Sequence, residues 1–208
     1  LDLGCGRGEW LELLQSHGFE SLGIDMDGGM LAACVERELP AIQGDAGTYL
    51  KSLANESQSI ISGFHVAEHI AFEDLNTLVI QSLRVLKPGG LLILETPNPE
   101  NLIVGSCNFY LDPTHQRPIP PQLLSFLPEH YGFARIRTMR LQEPRELIDR
   151  DDVSLMDVLG GVSPDYAIVA QKSAMPEILT QFDTAFSAHH GLELRQLAQR
   201  YDNIFRQK

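Results

Sequence analysis

The sequence predicts an α/β fold: a Rossmann-like, doubly wound, mostly parallel seven-stranded sheet, its first strand truncated, with helices on both faces and a helical extension at the C-terminal end. Three observations predict it. Strand-like and helix-like segments alternate along the first hundred residues. Three glycines, Gly4, Gly6 and Gly8, stand between the first strand and the first helix. An apolar run at 91–95 follows Lys87-Pro88-Gly89-Gly90 and has the composition of a strand covered on both faces. Such alternation implies right-handed crossovers and a parallel sheet.

The elements follow in order. Residues 1–3 read as the end of a strand. Residues 9–17 place Trp10, Leu11, Leu13 and Leu14 at helical spacing and stop at Gly18. Strands are expected at 21–25, 41–43 and 59–65, a helix at 29–38, and an amphipathic helix at 75–86 that ends at Lys87-Pro88-Gly89-Gly90. Residues 97–128 are rich in Pro and Asn with little period, which predicts a long functional loop. Residues 132–141 and 166–171 read as two closing strands, paired at one sheet edge across an acidic, mobile stretch at 149–164. From Pro176 onward the character is helical. Leu194, Leu197, Tyr201 and Ile204 recur at three and four residues. That seam has two readings, a helix packed on its own domain and an oligomer or coiled-coil contact. The expected division is a domain over 1–172 and a helical tail over 173–208.

Composition narrows the function. The chain of 208 residues is 43% hydrophobic, enough for a sizeable core. Sixteen basic against 28 acidic side chains leave a formal charge of −12, which argues against nucleic acid as a partner, because duplex tracking needs a basic surface. Cys5, Cys34 and Cys107 are far apart and form no CxxC pair. This fits a reducing compartment and no cysteine zinc site. No run is apolar and long enough to cross a bilayer and no signal peptide is visible, so a cytoplasmic location is expected. The first residue already lies inside a motif.

Glycines let the backbone adopt positive φ and bring N–H groups close to a ligand, and the helix that follows adds a partial positive charge. A plain tight turn would look the same. Asp25, 21 residues after Gly4 at the tip of the next strand, adds a carboxylate where a ribose would be held. Asp2-Leu-Gly-Cys-Gly-Arg-Gly8 resembles the first motif of class I S-adenosylmethionine-dependent methyltransferases. Gly23-Ile-Asp25-Met26, Gly44-Asp45-Ala46 and Arg84-Val-Leu-Lys-Pro-Gly-Gly-Leu-Leu-Ile93 resemble three further motifs in order. The resemblance implies S-adenosylmethionine as cofactor. It implies that Asp2, Gly4, Cys5, Gly6 and Gly8 face its methionine part and that Asp25 binds the ribose. Met26 would pack on the adenine, Asp45 and Ala46 would meet its amino edge, and His65 would lie near the sulfonium.

After the fourth strand comes Phe64-His65-Val-Ala-Glu68-His69-Ile70. Offsets of three and four place His65, Glu68 and His69 on one side of a helical turn. Together with His115 they form a candidate divalent-metal set. Equally, His69 or His115 would serve as a general base, and the bland alternative is a Glu-His pair that caps a helix. The turn resembles that of small-RNA 2′-O-methyltransferases and of ubiquinone-pathway O-methyltransferases, with His65 in place of the first Glu. The family resemblance and this turn make Glu68, His69 and His115 the candidate catalytic groups.

The acceptor is expected from residues 95–118. Asn98, Asn101, Asn108 and Arg117 are candidates for hydroxyl or anion recognition, and Phe109 and Tyr110 for stacking on a sugar, although Asn and Pro also simply shape turns. The run from Phe64 to Pro118 resembles O-methyltransferases of bacterial polysaccharide clusters, some of which end O-antigen chains and carry a helical tail that meets a membrane-bound partner. The resemblance therefore implies a sugar hydroxyl as acceptor and a site peripheral to the inner membrane, while the seam of the tail is the reading that points to a homo-oligomer. A small hydroxylated metabolite is the second reading, and a non-catalytic, cofactor-binding scaffold of a glycan-assembly complex the third.

Overall fold

A computed structural model describes residues 1–206. One sheet of seven strands runs in the order β3-β2-β1-β4-β5-β7-β6. The strands are β1 (Asp2–Leu3), β2 (Gly23–Asp25), β3 (Ala41–Gln43), β4 (Gln58–Phe64), β5 (Leu86–Pro97), β6 (Arg135–Leu141) and β7 (Asp165–Gln171). The first five are parallel, and β7 lies antiparallel between β5 and β6. The chain starts in the middle, winds out to β3, then returns beside β1 at β4. That reversal opens a crevice at the carboxyl ends of β1 and β4, where ligands bind in such sheets.

The crossovers are α1 (Glu9–Ser16), α2 (Gly28–Glu36), α3 (Ala46–Ser52) and α4 (Phe72–Val85). α4 buries Leu75, Leu78, Val79, Ser82 and Val85, a stripe at helical spacing. Its apolar members Leu75, Leu78, Val79 and Val85 join Leu3, Ile61, Leu92, Leu94 and Ile168 of the sheet in the main core. A smaller cluster, Cys5, Leu11, Leu31, Cys34 and Leu39, packs the first two helices.

Three expectations need correction. Lys87-Pro88-Gly89-Gly90 does not stop before the strand but lies inside β5, where the register with β4 shifts between Gln58 and Ile60. On the opposite side of β5, beside the end of β7, Gly89 N donates to Lys172 O at 3.2 Å. Residues 97–128 are not one irregular loop. They hold α5 (Leu102–Ser106), a 3-10 turn at Asn108–Leu111 and the start of α6 (Pro121–Tyr131). The Asn and Pro residues that suggested a loop are starters: Asn101 caps α5 through Ile103 N and Val104 N, and Pro121 opens α6. The stretch at 149–164 contains α7 (Leu155–Gly160), fixed by a capping box of Ser154 and Asp157. Val153, Val158 and Val162 pack there with Leu147, Leu192 and Leu197.

The tail forms α8 (Pro176–Leu179), α9 (Asp183–Ser187) and α10 (Leu194–Arg206). Leu197 is fully buried against α7, with Leu194 and Tyr201 at its margin, so the seam packs on its own chain. Arginines hold the tail in place. Arg135 donates to Asp183 Oδ1 at 2.6 Å and Arg200 to Leu147 O at 2.6 Å, and Arg137 bonds Ala188 O. Among the described residues no helix is long and apolar enough to cross a membrane.

Candidate active site

The turn after β1 is built on backbone. Gly4 N and Cys5 N both donate to Ile24 O, at 2.8 and 3.0 Å. Gly8, at φ +85, has no room for a Cβ, which would meet Leu39 and Cys34 at 2.6 and 2.9 Å. Gly6 is different: at φ +54 its missing Cβ would meet nothing within 4 Å. Its N–H donates to Asp25 Oδ2 at 2.8 Å, and Asp27 N donates to Oδ1 at 2.8 Å. Asp25 is thereby fixed between the first two strand ends.

Beside this turn lies an open cavity of about 550 Å³. Of the residues expected to bind cofactor, Asp2, Gly4, Cys5, Gly6 and His65 line it. Gly8 is buried behind the turn. Asp25, Met26, Asp45 and Ala46 gather at the ends of β2 and β3, where Gly44 N donates to Asp25 O at 2.9 Å. Met26 is exposed there. Asp45 caps α3 through Thr48 N at 2.7 Å, and these Thr48 contacts hold its carboxyl below the ordinary value. Asp2 is buried and accepts from Ser62 Oγ at 2.7 Å; burial pushes its carboxyl up to about 6.

β4 ends at Phe64, and His65 follows in the left-handed region at φ +54. The 3-10 turn Ala67–His69 starts only after it. His65 is therefore off the turn, and the four-ligand set of His65, Glu68, His69 and His115 does not form. Its Nδ1 lies 3.0 Å from Glu68 Oε1, and its Nε2 lies 3.6 Å from Glu95 and 3.9 Å from Asp165. The Glu68 bond first, then Glu95, raise this imidazole to about 10 against the opposing effect of burial. Burial likewise raises the Asp165 carboxyl. Glu68 is fully buried, and its second oxygen accepts from Thr96 Oγ1 at 2.9 Å.

The other three candidates converge. Glu68, His69 and His115 offer ligand atoms within 4.8 Å of one another, while His65 groups with Glu95 and Asp165 instead. The His69 and His115 rings meet edge to face with centroids 4.6 Å apart. His115 Nδ1 lies 2.6 Å from Phe109 O. A carbonyl can only accept, so Nδ1 carries a proton, and in the neutral ring Nε2 holds the lone pair, 4.0 Å from Asp112 Oδ2.

Of the acceptor candidates, Asn98 and Asn101 are buried and shape the backbone. Asn98 Nδ2 donates to Ser163 O at 2.9 Å, and Asn101 Nδ2 to Gly160 O and Val162 O at 3.0 and 2.7 Å. Phe109 is buried against His115 with ring centroids 4.5 Å apart, not open for stacking on a sugar, whereas Tyr110 is exposed. Arg117 lies over the Phe72 ring at 4.6 Å. Sequence reasoning missed the aromatic wall of the cavity, Trp10 and Phe64 with centroids 5.3 Å apart, and the polar groups Glu95 and Gln142. Trp10, the sole tryptophan, directly behind the glycine turn, was the available signal. Gln142, placed by a φ of +64, had none.

A family model described as a methyltransferase domain matches residues 1–94. Among solved structures the chain is similar to an S-adenosylmethionine-dependent methyltransferase from Archaeoglobus fulgidus. The two are 34% identical with a TM-score of 0.73, over 82% of this chain and 84% of that one. It is 30% identical over 134 residues to a probable S-adenosylmethionine-dependent methyltransferase of Mycolicibacterium smegmatis, covering 64% of this chain and 51% of that protein. It is 30% identical over 101 residues to the ubiquinone biosynthesis O-methyltransferase of a Bradyrhizobium strain, covering 47% of this chain and 39% of that protein. The chain thus spans about half or less of the curated relatives it matches.

Proposed function

The chain belongs to the class I S-adenosylmethionine-dependent methyltransferases, and on that footing we propose that it methylates a hydroxyl oxygen, on a sugar of a bacterial surface glycan. The residues fit the cofactor. Gly6 presents bare backbone to open space, and Asp2 places a carboxylate in the wall of the adjoining cavity. Bound there, S-adenosylmethionine supplies a methyl group already activated on a sulfonium.

The chain's own residues must then align the acceptor oxygen and take its proton. A sugar hydroxyl is a very weak acid and needs a base or a cation beside it. His65 does not serve as the base, because its carboxylate partners keep it protonated at neutral pH. His115, whose Nε2 faces Asp112 Oδ2 at 4.0 Å, and His69 serve. Glu68, His69 and His115 also fit a divalent ion, a mixed nitrogen and oxygen set within coordination reach. Such an ion would lower the acidity barrier of the hydroxyl.

The convergence of Glu68, His69 and His115, linked to the cavity through His65, carries the oxygen reading. The test is transfer of labelled methyl by the full chain to oligosaccharide, catechol and amine acceptors, each with and without a chelator. Transfer to oligosaccharide hydroxyls is expected, and methylation of amines alone would remove the proposal. The similarity to a ubiquinone-pathway enzyme favours a second reading, a small phenolic hydroxyl, which the catechol arm separates. A cytoplasmic, membrane-peripheral place in glycan assembly, with the tail toward a partner, belongs to the same proposal.

A further inference from the structure

Residues 112–117 lie along the turn that carries Glu68 and His69. Gln116 clamps that turn twice, its N–H donating to Glu68 O at 2.8 Å and its Nε2 to His69 O at 2.8 Å. Arg117 covers the neighbouring Phe72. Inside the clamp Asp112 Oδ1 accepts from Thr114 N at 2.8 Å and from Thr114 Oγ1 at 2.6 Å. Thr114 Oγ1 in turn sits 2.9 Å from His69 Nδ1.

A threonine hydroxyl has one proton. With that proton committed to Asp112, the oxygen meets His69 with a lone pair only, so Nδ1 must bring the hydrogen. A neutral imidazole protonated on Nδ1 carries its lone pair on Nε2.

We propose that Thr114, locked by Asp112, is a positioning residue that holds His69 as its Nδ1–H tautomer and leaves Nε2 as the basic nitrogen. Phe109 O imposes the same polarity on His115. Two imidazoles from separate segments are thus set alike beside one buried carboxylate. The same short segment supplies His115, the Thr114 that orients His69, and the Gln116 clamp. The work assigned to Nε2 rests on the proposed role of His69 in methyl transfer, whereas the tautomer does not.

Long-range ¹H–¹⁵N correlation spectra of the full chain with ¹⁵N-labelled histidine read each ring's tautomer. At a pH where His69 is neutral, the wild-type ring is expected to carry its proton on Nδ1. Thr114→Val should move it toward the Nε2–H form, and Thr114→Ser should not. In methyl transfer, Thr114→Val should lower kcat by about 10- to 100-fold, the usual effect of removing the partner of a working histidine. KM for the acceptor should change little, and Thr114→Ser should restore the rate. A wild-type His69 protonated on Nε2 overturns the proposal, whatever the variants do, and so does a tautomer unchanged in Thr114→Val. A tautomer that shifts while kcat stays level upholds Thr114 and overturns the role of His69 in transfer.

Discussion

His65 Nδ1 lies 3.0 Å from Glu68 Oε1, and this contact joins the cavity to the imidazole pair. His65 lines the cavity, and Glu68 lies buried behind it, beside the half-buried His69 and His115. Three carboxylates, Glu68, Glu95 and Asp165, face this single imidazolium. The excess of negative charge suits a cationic methyl donor, and the ring meets all three from a left-handed backbone at φ +54.

That arrangement fixes a pH dependence. The folded-state value of His65, about 10, lies above its ordinary 6.5. Protonated His65 therefore stabilises the fold fully below about pH 6.5, and the contribution is lost as pH rises through 10. Thermal unfolding of wild type and His65→Gln from pH 6 to 10 should show the largest Tm gap at the acid end, closing toward pH 10. A gap independent of pH would contradict the ion-pair account.

Gly6 and Gly18 separate strain from site. Both have positive φ, +54 and +77, and neither would crowd an added Cβ. Alanine in the left-handed region costs roughly 1–2 kcal/mol at either position. Only Gly6 lines the cavity. Gly6→Ala should weaken S-adenosylmethionine binding by at least about tenfold, equivalent to ~1.4 kcal/mol, while Gly18→Ala leaves it unchanged. Calorimetric titration of both variants checks this, and equal losses would mean that strain alone is at work.

Much of the fold was legible because it is local. Glycine at the first turn, the apolar run at 91–95 and the stripe of α4 are short-range patterns tied to one period each. The errors came where residues serve distant partners. Asn98 and Asn101 look like surface loop residues, yet their amides are used by Ser163, Gly160 and Val162, roughly sixty positions away. At the site, spacing grouped Glu68 with His69 correctly. It also put His65 against Glu68, at 3.0 Å, but not with the two imidazoles, because His65 stands in the left-handed region before the 3-10 turn begins. The contribution of His115 was readable as chemistry, but not the Phe109 carbonyl that sets its tautomer.

The tail can be weighed through Leu197. It is fully buried with Leu147, Val153, Val158, Val162 and Leu192. Truncating such a leucine costs about 2–5 kcal/mol through lost burial and the cavity left behind. Leu197→Ala should lower urea stability by that amount, with one cooperative transition. A loss below about 1 kcal/mol, inside the range of ordinary surface changes, would mean that the tail does not belong to the folded core.

At Asp2 stability and binding run in opposite directions with pH. Burial holds its carboxyl up to about 6, with the Ser62 bond pulling it down and Asp25 pushing it up. Because the folded value exceeds the ordinary 3.8, the neutral acid favours the fold. Its contribution is complete below about pH 3.8 and lost as pH rises through 6. A cationic donor in the same cavity favours the ionised form, so S-adenosylmethionine affinity should fall as pH drops through 6. Asp2→Asn should flatten both curves, stabilising the free protein at pH 7 while weakening binding there. Unfolding and calorimetric titration between pH 5 and 8 read the two effects separately. If the variant keeps the wild-type pH dependence of binding, the charge that meets the donor lies elsewhere in the cavity, with Glu95 the next group to replace.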